Sequence, residues 1–127
     1  MRSDEKILKL IVSLNRATAT GELQWRIDDA PRSLVRGTDD VIPLYFTGRY
    51  RQQHFGLFER RYKAFSIETE QTYWTSEIVL VLVDIMDRVL WETSSDQSAL
   101  RDLHKAVQRK CSNIDQLLDD LLSGPEA

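Results

Sequence analysis

Residues 73–83 read YWTSEIVLVLV, and this stretch decides the fold. Its second half, residues 78–83, is apolar at every position, with Val and Ile alternating with Leu after the first step. Branched side chains at this density favour an extended backbone, where their stiff χ1 fits the pleat. Successive side chains of a strand point to opposite faces, so a strand apolar at every position must be covered on both. The stretch is therefore expected to be central, with helices over one face and the curled sheet or a partner over the other. Six apolar residues are far too few to span a bilayer as a helix, and no membrane association is expected.

Toward the C-terminus, Asp84-Ile85-Met86-Asp87 reads as a turn, and residues 88–93 return as a hairpin partner carrying Leu90 and Trp91. Toward the N-terminus, residues 69–72 are polar and turn-like. Residues 57–67 fit two templates. Leu57, Phe58, Arg61, Tyr62 and Phe65 would make a helical face; Phe58, Tyr62 and Ala64 would make a strand face. Aromatic content and the flanking strands select the strand. Residues 52–56 are expected to turn. Before them, Leu44, Phe46 and Tyr50 share one side of a strand, and Tyr45, Thr47, Arg49 and Arg51 the other. Pro43, lacking an N–H, suits the start of that strand or a sheet edge. Residues 28–37 contain Pro31 and read as a connection in which Leu34 and Val35 can form a short element; residues 37–40 read as a turn. Leu23, Trp25 and Ile27 alternate with polar neighbours and open the sheet.

Both ends of the chain change period. Ile7, Leu10, Ile11 and Leu14 lie on one helical face behind Ser3, Asp4 and Glu5, with Gly21 as the stop and Thr18 and Thr20 frayed. Leu100, Leu103, Val107, Ile114, Leu117 and Leu121 recur at helical spacing at the other end, where Ser94, Ser95 and Asp96 offer N-caps. Lys110 interrupts that seam, and Ser112 with Asp115 resembles a capping box, so a kink or restart is expected near Ser112. The fold expected is α+β in one domain over residues 1–127. A helix at about 4–18 precedes an antiparallel sheet of about five strands at about 22–93, and a long helix at about 97–122 packs on it.

Composition agrees with a globular chain. Hydrophobic residues are 42% and charged residues 29% of the 127, with five Gly and three Pro. A core of this size needs no disulfide or metal. A single cysteine, Cys111, and no recognisable secretory pattern make the cytoplasm the expected compartment. Net charge is −3, but it is unevenly spread. Residues 49–63 carry Arg49, Arg51, Arg60, Arg61 and Lys63 against Glu59, whereas residues 115–127 carry Asp115, Asp119, Asp120 and Glu126 with no base.

No motif for catalysis stands out. His104 and Cys111 are seven residues apart on one helix, which at about 1.5 Å per residue separates their backbones by roughly 10 Å, too far for a thiolate–imidazole pair. Two His and one Cys fit no zinc spacing. The pairs Asp28-Asp29, Asp39-Asp40 and Asp119-Asp120 read as turns and solvated faces, and there is no glycine-rich phosphate cradle. No enzyme activity, cofactor or metal is expected. An enzyme using His54 or His104 would need a pocket where one of them meets a carboxylate.

Organised surface remains. Arg49, Arg51, Arg60, Arg61 and Lys63 interleave with Tyr50, Phe55 and Tyr62 and form the candidate interaction surface. The leading expectation is a non-catalytic interaction or regulatory module whose partner is another protein or a twin subunit, the latter through overhang of the C-terminal helix. The alternative is single-stranded RNA binding, with rings stacking on bases and cations meeting phosphates.

Overall fold

In a computed structural model, which describes residues 3–95 and 98–123, the chain is α+β. Helix α1 (Ser3–Thr20) leads into β1 (Trp25–Asp28), a short 3-10 helix (Arg32–Leu34), β2 (Tyr45–Tyr50), β3 (Gln53–Ser66), β4 (Gln71–Val83) and β5 (Val89–Ser95). Helices α2 (Ser98–Ser112) and α3 (Ile114–Leu122) follow. The strands form one antiparallel meander in the order β1-β2-β3-β4-β5. Residues 57–67 fall almost entirely within β3, so the strand template is the one realised.

The apolar run of β4 has neighbours on both edges. Leu57, Phe58 and Phe55 of β3 pair with Leu80, Val79 and Leu82, and β5 pairs with Ile78 to Val83 from the other side. Both faces are buried, as its sequence requires. On one face Leu80, Leu57, Phe55 and Phe46 pack under Ile11 and Leu14 of α1 and Leu100, Leu103 and Val107 of α2. On the other, Val79, Val81, Val83, Tyr45 and Phe58 pack with Leu34, Ala30 and Ile42. The second cover is thus neither a curled sheet nor a partner: it is the β1–β2 connection, whose 3-10 helix sets Leu34 into the core. The middle strand of the sheet is β3 rather than β4.

Local chemistry moves several boundaries from where the pattern put them. Thr18 is not frayed: it is fully buried, donates its hydroxyl proton to the Leu14 carbonyl at 2.7 Å and accepts the Trp25 Nε1–H at 2.9 Å. That relay carries α1 on to Thr20 and fastens it to the first strand. The β2–β3 turn is not residues 52–56 but Arg51 and Gln52, both at positive φ (50° and 67°), as a two-residue primed turn demands. Gly56 therefore lies inside β3, where the Tyr45 ring and hydroxyl occupy the space a Cβ would need.

The C-terminal helix restarts where the sequence places the interruption, immediately after Ser112. Asn113 takes the left-handed conformation (φ 51°, ψ 42°) and separates α2 from α3. Ser112 does not cap α3; its hydroxyl donates back to the Gln108 carbonyl at 2.6 Å, and Asp115 instead meets Arg109 at 3.0 Å. Ser94 and Ser95 belong to β5, not to a helix cap, and the Asp96 cap lies outside the described residues.

The β3–β4 hairpin outruns its neighbours. Continuous pairing with β2 stops at Phe58, with one further bridge from Val41 to Arg61, and β5 reaches only Ile78. Residues 59–66 and 71–77 therefore form a two-stranded arm about 25 Å long at the usual strand rise.

Two substitutions test this packing. Thr18→Val keeps the volume but removes the acceptor of the Trp25 indole, and should cost about 1–2 kcal/mol in denaturant unfolding. Gly56→Ala should cost about 1–3 kcal/mol by overpacking, and adding Tyr45→Phe should recover part of that loss, because the Tyr45 hydroxyl is the nearest obstacle.

Candidate interaction surface

The basic-aromatic residues do not form one surface. In the observed register Arg49, Arg60 and Tyr62 lie on the face covered by the β1–β2 connection, whereas Tyr50, Phe55, Arg61 and Lys63 lie on the helix-bearing face. Arg51 sits in the turn, over the Tyr50 ring at 5.2 Å. Phe55 is buried in the core and unavailable for stacking on a base, which corrects its assignment as a surface ring. Alternation makes Phe55 look like its exposed neighbours; only its pairing with Leu82 under the helices distinguishes it.

Carboxylates engage three of the five cations. Arg60, with its side chain 13% exposed, reaches Glu92 at 2.7 Å and Glu77 at 3.3 Å. Burial works against its charge, but the Glu92 hydrogen bond and the charges of Glu92 and Glu77 outweigh it and raise its pKa. Arg61 meets Glu59 at 3.3 Å. Lys63 lies 3.5 Å from Asp39 and 5.4 Å from the centre of the Trp74 ring. The acids that balance this stretch thus come from the sheet and the β1–β2 connection, not from the acidic final helix.

The histidines stand apart. His104 is half-buried, edge-on to Phe46 with ring centres 5.9 Å apart. It borders a depression with Glu59 and Arg101, yet among the described residues neither His104 nor His54 bonds to a carboxylate. Burial lowers the His104 pKa below its ordinary 6.5, with Glu59 pulling the other way. Burial raises the Cys111 thiol, which keeps it protonated and weakly nucleophilic. Among the described residues no cluster of three His, Cys, Asp or Glu is placed to hold a metal.

What the structure does assemble is an apolar trough on the helix-bearing face. Helix α2 crosses that face and leaves the flank toward the arm open. A concavity of about 730 Å³ is lined by Ile27, Leu44 and Phe46 below and by Lys105, Arg109 and Leu118 above. Lys105 also borders the His104 depression, and Ser76 joins that depression to a third hollow of about 520 Å³ floored by Val41, Arg61 and Trp74. Ile27 is 52% exposed, Trp74 55% and Phe65, further out on the arm, 62%. Helix α3 adds Leu117, Leu118, Leu121 and Leu122, the last 85% exposed.

Two signals for the trough lie in the sequence. The leucine doublets 117–118 and 121–122 make α3 apolar over a wider stripe than a single packed face needs, and the aromatics Phe65 and Trp74 lie beyond the apolar run that fills the core.

The lowered His104 pKa has a consequence for stability. The unfolded chain takes up this proton before the folded one does, so the contribution of neutral His104 is complete above pH 6.5 and is lost as pH falls from there toward the folded value. Unfolding midpoints should therefore drop as pH falls from about 7 to about 5.5, and His104→Gln should flatten that slope. The Asp84 carboxyl, lowered first by the Arg88 backbone N–H, titrates below 3.8 and leaves this window clear.

No protein-family model matches this chain, and neither does any curated protein or solved structure.

Proposed function

We propose that this chain is a non-catalytic protein-interaction or regulatory module that presents the trough to a protein partner. One observation carries the reading: Ile27, Val41, Leu44, Phe65 and Trp74, all between 42% and 62% exposed, share one face of the sheet with the open flank of α2. Scattered apolar side chains are normal on a surface, but contiguous apolar patches mark interaction sites. Arg61 and Lys63 stand among these side chains and Lys105 borders them, so the patch offers a partner both apolar and polar contacts. The half-buried thiol of Cys111 suits a reducing compartment such as the cytoplasm.

Single-stranded RNA binding is less well supported. A polyanion site needs cations free to meet phosphates, and Arg60, Arg61 and Lys63 already face carboxylates. With Phe55 in the core, the stacking rings fall to Tyr50 and Tyr62 on opposite faces of the sheet.

The test is a tagged capture from lysate of the source organism after nuclease treatment. It compares the wild-type chain with a variant carrying both Val41→Asp and Leu44→Asp, and the bound proteins are read by mass spectrometry. A protein held by the wild type through nuclease and lost by the variant is the expected result. Enrichment that vanishes with nuclease, or identical capture by both chains, would overturn the reading.

A further inference from the structure

Resting on that interaction reading, we propose that the occupant of the trough is helix α3 of a second copy of this chain, so that two copies exchange their α3 helices in a closed two-fold dimer.

The argument begins with what α3 lacks. Of its described leucines, Leu118 alone lines the 730 Å³ concavity beside Ile27 and Leu44, while Leu121 and Leu122 remain 70% and 85% exposed. Leu117, Leu118, Leu121 and Leu122 span about 140° of the helix circumference at 100° per residue, a stripe wide enough for two contacts. Its own chain therefore half-covers the first pair, Leu117 and Leu118 (48% and 47% exposed), and leaves the second pair open. A nine-residue helix has little stability in water by itself, so such a stripe needs a surface to lie on.

Charge then identifies the surface. Residues 114–122 contain Asp115, Asp119 and Asp120 and no base. Asp115 meets Arg109 of its own chain and Asp120 accepts a hydrogen bond from Gln116; among the described residues Asp119 and Asp120 meet no cation. The trough has the opposite character. Lys105 and Arg109 border the apolar floor of the 730 Å³ concavity, and among the described residues no acid lines it; further out, Glu59 and Asp39 already engage Arg61 and Lys63. An apolar helix flanked by acids and an apolar groove flanked by bases are complementary in both respects, and one chain carries both. In a dimer each element meets its complement twice, which closes the assembly without leaving a free helix or a free trough.

Asn113 supplies the geometry for exchange. Its left-handed backbone ends α2 abruptly and gives α3 a direction of its own, and no side chain caps the new helix. A short junction of this kind between two helices is where elements swap between protomers.

The test uses the full-length chain and three variants in sedimentation equilibrium over a wide concentration range. The wild type should self-associate as a dimer. The helix variant (Leu121→Asp with Leu122→Asp) and the trough variant (Val41→Asp with Leu44→Asp) should each weaken the dimer by about tenfold or more. Mixed together they should form a heterodimer, because the intact helix of the trough variant meets the intact trough of the helix variant. Asp119→Lys with Asp120→Lys should also weaken the dimer, and this loss should shrink at high salt. All substituted positions are exposed or half-exposed, and matching circular dichroism melts confirm that each variant folds. A wild type that stays monomeric, a dimer indifferent to the helix variant, or a mixture that does not re-associate would overturn the proposal. A monomeric wild type whose trough variant still loses a captured protein would sink the exchange alone and leave the interaction reading standing. No dimer together with no trough-dependent capture would remove both.

Discussion

The register of the β3–β4 hairpin is the constraint on which the rest of the structure depends. It runs from His54 opposite Val83 to Ser66 opposite Gln71 without a slip. A shift of one residue would turn every side chain of one strand to the other face. With the observed register Leu57 and Leu80 meet under the helices while Phe58 and Val79 meet under the β1–β2 connection, and each face receives a matched apolar set. The same register fixes the ion pairs. Arg60 stands opposite Glu77, and Glu92 follows from the neighbouring strand through its pairing with Val81. The two cores and the principal charge network are thus consequences of one alignment.

Beyond Ile78 that alignment continues without the cover that justifies it. An isolated two-stranded ribbon is marginal in water, since it pays backbone entropy for little buried surface. The arm offsets this with a few local contacts: the Lys63 ammonium over Trp74 across the strands, Arg61 with Glu59 along β3, and the bridge from Val41 of the β1–β2 connection at its base. Exposed pairs of this kind contribute little each. An arm that keeps Phe65, Tyr73 and Trp74 at half exposure or more gains far more from a covering surface than from those contacts.

Much of the fold is legible in the sequence because burial writes a period into it. The both-faced run at residues 78–83, the alternation of Leu23, Trp25 and Ile27, and the helical spacing at both ends each report their element directly. What escapes the pattern is decided by single atoms. The Thr18 hydroxyl reads as a fraying residue and acts as a buried relay to Trp25. Gly56 reads as a turn and is the gap that admits Tyr45. Arg51 and Gln52 form a turn that usually calls for Asn or Gly, because the hairpin around them fixes the geometry. The second core was hidden for a different reason: Ala30, Leu34 and Ile42 show no period, since a connection covering a sheet face follows the face and not a repeat of its own. Of the proposed surface, the charges were legible as a list and not as an arrangement. Alternation puts Arg60 and Arg61 on opposite faces, and nothing in their neighbourhood says that Glu92, thirty-two residues on, will hold one of them.

The two covers of the sheet differ in kind, and the difference explains where the surface is left open. The β1–β2 connection follows the extended chain and can reach along its face to the Val41 bridge with Arg61, so that side closes down over Tyr45 and Phe58. The opposite face is covered by two rods, α1 and α2, whose apolar stripes meet the sheet along Leu14, Leu103 and Val107 and whose other faces are charged. Rods cannot follow a twisting, lengthening sheet, so cover by α1 and α2 ends while the apolar sheet face continues through Leu44, Val41 and Trp74. The open flank is therefore a geometric outcome of packing straight helices on a sheet that outgrows them, and α3, set off by Asn113, carries the same apolar and acidic character that such a flank would bind.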